Sequence, residues 1–274
     1  MLSVSELYIY PIKSLGGIAL DTAMVTNRGL QHDRRYMLVD ENNIFFTQRE
    51  YPAMAFLRTA IEDDDLLVYH KDAMSEKLEL HVAPEPTGTT TTVKIWDDWC
   101  EGEYISERAD DWFSDKLGIS CRLVYMPDST KRKVDPLRAL NDDITSFTDG
   151  YPIMMLGQSS LDDLNGRLIE QLPMNRFRPN IVYTGGQPFE EDVMEHFSIN
   201  NINFFGVKPC ARCPIPTTNQ ETGVRGKEPL KTLSQYRVAN NKVLFGQHVL
   251  CAGTGIISVG DSINVLKRKT ALAG

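Results

Sequence analysis

Residues 255–266 near the carboxyl end read GIISVGDSINVL, two apolar runs separated by a Gly-Asp pair. Both runs contain the β-branched residues that are enriched in strands, and the Gly-Asp pair between them is a turn signal. The stretch therefore predicts a β-hairpin. A hairpin at this point of the chain would close a β-barrel formed by the strands that precede it.

Strand patterns of the same kind fill most of the chain. Short runs of alternating or β-branched residues are broken by Gly, Asn and Asp, which is typical of strands and their turns. The predicted strands are residues 3–10, 18–26, 36–40, 57–61, 66–69, 78–81, 90–95, 180–183, 197–199, 203–208 and 243–249. This density of strands predicts a mainly β protein of barrel or sandwich architecture.

Two segments follow a helical period instead. Residues 106–117 are amphipathic, with acidic residues in the first turns that suit the helix dipole. Residues 159–172 carry a stripe of leucines, and Ser159 or Ser160 is the predicted N-cap. The polar, proline-containing residues 126–148 predict an irregular connection. We therefore expect two domains: a β-barrel-like domain over residues 1–123, and a β domain with flanking helices over residues 124–274.

Composition and charge exclude several classes of protein. The 274 residues include 29 Lys and Arg against 37 Asp and Glu, and a net charge of −8 disfavours binding to nucleic acid. No run of about 18 apolar residues occurs, which excludes a membrane-spanning helix. The amino-terminal residues lack the basic and apolar regions of a signal peptide. We therefore expect a cytoplasmic protein that binds neither nucleic acid nor membrane.

The five cysteines have irregular spacing, which does not indicate a disulfide framework, but Cys210 and Cys213 form a close pair. They lie in CARC between Pro209 and Pro214, which disfavour a helix, and flanking positive charge favours a thiolate. Four interpretations are open: half of a zinc site, a thioredoxin-type dithiol, buried structural cysteine, or a single thiolate ligand to a soft metal. The sequence lacks the second close pair of ligands that a zinc site would need. The two prolines disfavour the helix that a thioredoxin-type dithiol would begin.

Basic and polar residues also stand at the ends of predicted strands. Lys13 and Ser14 follow the first strand, Arg34 precedes the strand at residue 36, and Arg178 and Asn180 stand at the entry to the strand at residue 180. Cations gathered at strand ends can form a pocket for a small anion such as a phosphate. The alternative is ordinary solvated surface charge. The sequence contains no histidine pair at metal-binding spacing, no P-loop and no nucleophile elbow.

Eight blocks of sequence, in order, resemble the MOSC proteins. This family includes the carboxyl-terminal domain of molybdenum cofactor sulfurase and the mitochondrial amidoxime-reducing component. The blocks are YPIKS, DRRYMLV, TQRE, FRPNI, PCARCPIPTTNQETG, EPLKTLSQYR, FGQ and VGDSINVL. The resemblance covers essentially the whole chain. It implies a MOSC N-terminal β-barrel domain over residues 1–123 and a MOSC β-barrel domain with flanking helices over residues 124–274.

The resemblance also implies a molybdenum cofactor (Mo-pyranopterin) bound between the two domains. Cys213 would be the catalytic residue and the thiolate ligand of the metal, with Cys210 secondary, and a soft thiolate on a stiff loop suits a sulfur-ligated metal. The positions that it assigns to cofactor binding are Lys13, Ser14, Arg34, Asp149, Gly150, Tyr151, Arg178, Asn180 and Arg212. Gly150 and Tyr151 stand where the family more often has small hydroxyl residues.

By the same resemblance, we expect a molybdenum-dependent oxidoreductase that reduces N-hydroxylated small molecules, namely hydroxylamines, amidoximes or N-hydroxylated bases. A role in detoxification and pyridoxal phosphate binding are further expectations. The sequence has neither a ferredoxin cysteine array nor a flavin or nicotinamide fingerprint, so we expect a separate electron donor, a ferredoxin or flavin reductase, and the alternative is a ferredoxin domain beyond residue 274. Two alternatives stay open: a sulfur carrier with a persulfide on Cys213, and a cofactor-binding module without turnover.

Overall fold

The computed structural model describes residues 1–270, and most of its regular structure is strand. The strands of this range are β1 (Leu2–Ile9), β2 (Ile18–Leu20), β3 (Thr22–Thr26), β4 (Gly29–Leu30), β5 (Tyr36–Val39), β6 (Leu57–Glu62), β7 (Asp65–His70), β8 (Ala73–His81), β9 (Thr90–Ile95), β10 (Asp98–Tyr104), β11 (Arg122–Tyr125), β12 (Arg132–Lys133), β13 (Ile144–Thr145), β14 (Ile153–Gly157), β15 (Ile181–Thr184), β16 (Met194–Ile199), β17 (Ile202–Ala211), β18 (Val238–Ala239), β19 (Lys242–Ala252), β20 (Gly255–Ser258) and β21 (Ser262–Arg268). The α-helices between them are α1 (Glu107–Leu117), α2 (Gln158–Asn165) and α3 (Leu230–Leu233). The predicted mainly β fold is confirmed.

Seven strands close into a barrel. Their order is β14, β15, β1, β21, β16, β17 and β19, and β19 pairs back to β14. Only the β14–β15 pair of this ring is parallel. Large side chains such as Tyr183, Phe197 and Phe204 are fully buried in its core. Closure pairs the backbone of every strand in the ring on both sides, which removes exposed sheet edges.

Residues 36–125 supply two further sheets. One has the order β5, β11, β10 and β9, and the other is the meander β6, β7 and β8. Helix α1 contributes the buried Phe113 to the same core as Leu38 and Leu57. Ser106 caps α1 by accepting a hydrogen bond from the Ala109 amide, and Gly118 ends the helix in the left-handed conformation. The helix predicted over residues 106–117 is therefore confirmed.

The first strand of the chain belongs to the barrel of the second half. β1 pairs with β15 and β21, and β3 likewise pairs with β20. The amino-terminal residues 2–26 thus contact strands that lie more than 150 residues further along the chain. The domain boundary at residue 123 stays a prediction, and residues 271–274 of the second predicted domain lie outside the described part of the chain.

Two local predictions are wrong. The stretch 255–266 turns at Gly260, as predicted, but its two strands do not pair with each other: β20 joins β3, and β21 joins β1 and β16. A turn signal specifies a change of direction and leaves the pairing partners to the tertiary fold. The stretch contributes one strand to the closed barrel and one to a separate sheet.

Helix α2 is also shorter than predicted and lacks the predicted serine cap. It ends at Asn165, whose side chain hydrogen-bonds both the amide and the carbonyl of Leu172 and so holds the following loop. Ser160 instead donates its hydroxyl to Glu191. The leucine stripe of residues 159–172 therefore continues beyond the end of the helix into a folded loop. Within residues 1–270, no helix is long and apolar enough to span a membrane.

Candidate functional site

A cleft of about 780 Å³, including the open solvent at its mouth, lies where loops from both halves of the chain meet. Loops at strand ends supply its lining: those after β1, before β5, after β13, before β15 and after β17. Its lining includes six cations, Lys13, Arg34, Arg49, Arg176, Arg178 and Arg212. Among the described lining residues the single carboxylate is Asp149. We call this the cation cleft, and its charge suits an anionic ligand.

Asp149 neutralises two of these cations. Its Oδ1 lies 2.6 Å from Lys13 Nζ, and its Oδ2 lies 2.8 Å from an Arg49 nitrogen. Although partial desolvation of this half-exposed carboxylate raises the pKa of Asp149, the two cations outweigh it and hold that pKa well below its ordinary value. Burial lowers the pKa of Lys13 to about 8, against the opposing effect of Asp149. Lys13 also donates to the Phe147 carbonyl at 2.8 Å.

Two further arginines stand against one aromatic ring. Arg34 Cζ lies 4.4 Å and Arg178 Cζ 4.1 Å from the centre of the Tyr10 ring, within cation–π range. Arg34 also pairs with the buried Asp33 at 2.6 Å and donates to Asn180 Oδ1 at 3.0 Å. The turn after β1, the turn before β5 and the entry to β15 are therefore fastened together at the cleft.

Three of the predicted cofactor-binding residues have a left-handed backbone. The φ angles are 69° at Ser14, 49° at Arg34 and 56° at Arg178. A side chain larger than hydrogen is disfavoured in this region, and such residues cluster at functional sites where the surrounding fold holds them. The strained backbone sets the directions of these side chains at the cleft.

Arg178 retains unused hydrogen-bonding capacity. Its Nη2 atom is buried and has no partner. Burial lowers the pKa of Arg178 to about 10, so the side chain remains a cation at neutral pH. A buried guanidinium nitrogen without a partner is costly. An anionic oxygen in the cleft would satisfy it.

Cys210 and Cys213 both line the cleft but differ in environment. Cys210 is buried against the apolar core of α2 and β19, and burial raises the pKa of its thiol. Cys213 is half-buried on the loop after β17. Burial opposes the charge of Arg49, but Asp149 and the Cys213 sulfur outweigh burial and raise the pKa of Arg49. Cys213 therefore has the more open thiol, with a cation beside it.

Arg212 is held in place by backbone carbonyls. It donates from Nε to the Phe245 carbonyl at 2.7 Å and from Nη1 to the Phe177 carbonyl at 2.9 Å. These bonds join the loop after β17 to β19 and to the FRPNI block. Arg212 thus positions the loop that carries Cys213.

The structure places every predicted site residue except Gly150 on the cation cleft. Gly150 lines a neighbouring cleft, which shares Asp149 and Tyr151 with the first. The Tyr151 hydroxyl is buried without a partner, and its ring stacks on His248 at 4.7 Å. The assigned roles of these residues stay predictions.

Sequence reasoning missed three polar lining residues of the cation cleft, Arg49, Arg176 and His248, whereas Thr148 lies in the segment 148–151 that the resemblance assigns to further cofactor contacts. Burial lowers the pKa of His248 to about 3, and its Nδ1 has no partner, so a neutral imidazole faces this site. Arg49 stands in the quoted block TQRE, and His248 directly follows FGQ. Both residues therefore lie in or next to a quoted block, but the sequence alone gives neither of them a role.

Metal-binding side chains do not cluster in residues 1–270. No group of three or more His, Cys, Asp and Glu with the geometry of a metal site occurs in that range. The cleft offers one accessible thiol rather than a set of protein ligands. A metal bound here would therefore need to arrive with most of its ligands.

Two family models match the chain. The model of the MOSC N-terminal beta barrel domain matches residues 1–120, and that of the MOSC domain matches residues 142–264. The described lining residues of the cation cleft come from both matched regions.

Relatives of known name match over most of the chain. The mitochondrial amidoxime-reducing component 1 of Mus musculus is 31% identical, over 96% of this chain and 82% of that protein. The mitochondrial amidoxime reducing component 2 of Bos taurus is 32% identical, over 95% and 82%. The molybdenum cofactor sulfurase of Oryza sativa subsp. japonica is 28% identical, over 89% of this chain but 32% of that protein.

Proposed function

Because the chain belongs to the MOSC family, with a MOSC N-terminal β-barrel domain followed by a MOSC domain, we propose that it is a molybdenum-cofactor-dependent reductase of N-hydroxylated compounds. The single observation that supports this most is the cation cleft itself. It combines one half-buried thiol, Cys213, with six cations and a buried guanidinium nitrogen that lacks a partner.

The donor set of the cleft fits a pyranopterin with a terminal phosphate. Arg178 Nη2 needs an anionic partner, and Arg34 lies against the same Tyr10 ring. Together they would hold the phosphate by charge-assisted hydrogen bonds. The neutral His248 and the unpartnered Tyr151 hydroxyl offer a donor or acceptor to the polar edges of a pterin. Cys213 would supply the thiolate.

When bound, the cofactor would supply two-electron redox chemistry. Overall, the N–O bond of the substrate breaks as two electrons and two protons arrive, and water leaves. The residues of this chain bind the cofactor, orient the substrate and supply protons. Lys13 Nζ is buried, has a pKa of about 8 and is hydrogen-bonded to Asp149, so it holds a proton on the cleft wall at neutral pH. We assign to it the supply of a proton to the leaving oxygen.

The remaining cations shape the field around the thiol. Arg49 lies beside Cys213 and is held by Asp149, and Arg212 fixes the loop of Cys213 to two carbonyls. Fixed charges of this kind stabilise developing negative charge without reorganising during the reaction. The electrons would come from a separate donor, a ferredoxin or a flavin reductase. A role in detoxification, pyridoxal phosphate binding and a cytoplasmic location stay predictions.

One experiment separates the reductase from its alternatives. The chain is purified from a host grown with molybdate, its molybdenum and pterin are measured, and an amidoxime is offered with reduced viologen as the electron source. Near-stoichiometric metal with formation of the amidine supports the reductase. Metal without turnover indicates a cofactor-binding module, and sulfane sulfur on Cys213 without metal indicates a sulfur carrier.

A further inference from the structure

Trp96 occupies a backbone position that disfavours it. Trp96 and Asp97 form the two-residue turn between β9 and β10, since Ile95 pairs with Asp98 across the hairpin. The φ angle of Trp96 is 55°, a left-handed conformation for which such turns normally use glycine or asparagine. A bulky aromatic residue there is an outlier, and outliers of this kind mark positions to examine for function.

The indole of Trp96 reaches the rim of the cation cleft. Its Nε1 lies 3.4 Å from Asp149 Oδ1, and Arg49 Cζ lies 4.5 Å from its ring. Phe45 contacts the same ring edge-on, with centroids 5.0 Å apart. Arg49 in turn lies beside Cys213. One side chain therefore separates the indole from the thiol.

These contacts fix the indole without covering it. Trp96 remains 43% exposed. The second cleft, lined by Asp97, Trp99 and Tyr151 among others, adjoins the hairpin and shares Asp149 with the cation cleft. A molecule whose reactive end lies in the cation cleft thus has room for its body in the second cleft, which borders the turn that carries Trp96. Rigid aromatic side chains give contact area at a low cost in side-chain entropy.

We propose that Trp96 is a binding subsite for planar π-systems. It would stack against the aromatic or heteroaromatic part of an N-hydroxylated substrate, while the N–O group enters the cation cleft. This inference rests on the proposed function, which it deepens by naming flat aromatic compounds as the preferred substrates. Stacked aromatic pairs correspond to about a 2- to 12-fold gain in binding.

The test compares two substrates that share the reacting group. Benzamidoxime carries an aromatic ring, and acetamidoxime carries a methyl group in its place. Trp96→Gly removes the indole and places at φ 55° the residue that this conformation suits. Asp63→Gly is the matched control, because Asp63 is an exposed residue with φ 54° in the two-residue turn between β6 and β7. We expect Trp96→Gly to raise the ratio of the KM for benzamidoxime to the KM for acetamidoxime about 2- to 12-fold, beyond any change common to both substrates that follows from the lost contacts with Asp149 and Arg49.

Direct binding keeps this proposal separate from the reductase activity. Calorimetry of both amidoximes with the purified protein measures the preference for the ring even if no turnover is found, an outcome that would count against the proposed function alone. A preference that is present in the wild type and in Asp63→Gly but lost in Trp96→Gly supports the subsite. A preference that Trp96→Gly retains, or an equal change for both compounds, overturns it.

Discussion

Lys13 Nζ lies 2.6 Å from Asp149 Oδ1, an ion pair that joins the turn after β1 to the loop before β14. Lys13 is buried, whereas the Asp149 side chain is half-exposed. Arg49 shares the same carboxylate through its second oxygen. Asp149, the one acidic side chain among the described residues that line the cleft, therefore pairs with two of its cations.

Asp149→Asn should weaken the ligand-free fold and strengthen its affinity for small anions. The substitution leaves Lys13 and Arg49 without a counter-charge, at a cost on the order of 1 kcal/mol because Asp149 is partly solvated. Thermal unfolding with and without inorganic phosphate measures both effects. We expect a lower Tm without phosphate and a larger phosphate-dependent rise than in the wild type. Equal responses to phosphate would show that Asp149 does not control access to these cations.

Cys213→Ser should abolish reduction of N-hydroxylated substrates while leaving the fold intact. Oxygen is a harder ligand than a thiolate, so the electronic state of a bound metal changes with little change in side-chain volume. Activity per bound molybdenum is the measurement, and we expect a loss of at least 100-fold. Cys210→Ser is the matched control: its thiol packs in an apolar core, so we expect a lower Tm and activity per metal within about threefold of wild type. Equal losses at both positions would instead indicate a dithiol mechanism.

Arg178→Ala should reduce cofactor retention before it affects chemistry. It removes the guanidinium whose Nη2 has no protein partner, and a hydrogen bond to a charged group contributes about 1.5–3 kcal/mol, or roughly 10- to 150-fold in affinity. Copurified pterin and molybdenum are the readouts. Arg167→Ala, which breaks a surface pair with Asp163, serves as the control. Full cofactor content in Arg178→Ala would mean that this arginine does not bind the cofactor.

The stability of the barrel should depend on the protonation of Glu191. This fully buried residue accepts hydrogen bonds from Ser160 and Tyr183, and burial raises its pKa to about 7 from the ordinary 4.5. The folded state therefore binds the proton more tightly than the unfolded state. Protonated Glu191 therefore contributes on the order of 3 kcal/mol to the free energy of unfolding. The contribution is complete below pH about 4.5 and is lost as the pH rises to about 7.

Glu191→Gln keeps an oxygen acceptor for Ser160 and Tyr183 and removes the ionisation. We expect its Tm to change less between pH 5.5 and pH 8 than that of the wild type. Glu195→Gln, which alters a surface pair with Lys267, should behave as the wild type. A wild-type pH dependence in Glu191→Gln would assign the titration to another group.

The protein should not reduce substrates with NADH alone. Its sequence has no flavin or nicotinamide fingerprint and no ferredoxin cysteine array. Reduced viologen, or a ferredoxin or flavin reductase, should restore turnover. With a net charge of −8, we expect a protein donor with a basic docking surface and a rate that falls as salt screens the encounter. Turnover by the purified chain with NADH would reveal a redox site that the sequence does not show.

Much of the strand content could be predicted from local patterns, whereas the pairing could not. Residues 36–40 and 90–95 alternate or carry β-branched side chains, and both form strands. Asp98–Tyr104 reads DWCEGEY, and its acidic residues and glycine do not predict a strand. Pairing with the neighbouring strands stabilises it. Ile153–Gly157 is buried at every position, so it has no alternation to detect.

Local sequence patterns likewise predict only part of the candidate site. Arg178 and Cys213 could be singled out because they stand in distinctive blocks next to prolines. The importance of Arg49 arises from its contact with Asp149, 100 residues further along the chain, which no spacing rule indicates. The left-handed Trp96 shows a further limit, because local preference alone would place glycine or asparagine at that turn.

The place of β1 in the barrel has a consequence for biosynthesis. Ser3 pairs with Ser262 on one side and with Thr184 on the other, so β1 cannot complete its pairing until β21 has been synthesised. The sheet of β5, β11, β10 and β9 is complete by Tyr125 and has no such delay. Since pairing over long sequence separations is slow, we expect the ring to close only after β21 has left the ribosome, with β1 incompletely paired and accessible to chaperones or to other nascent chains until then.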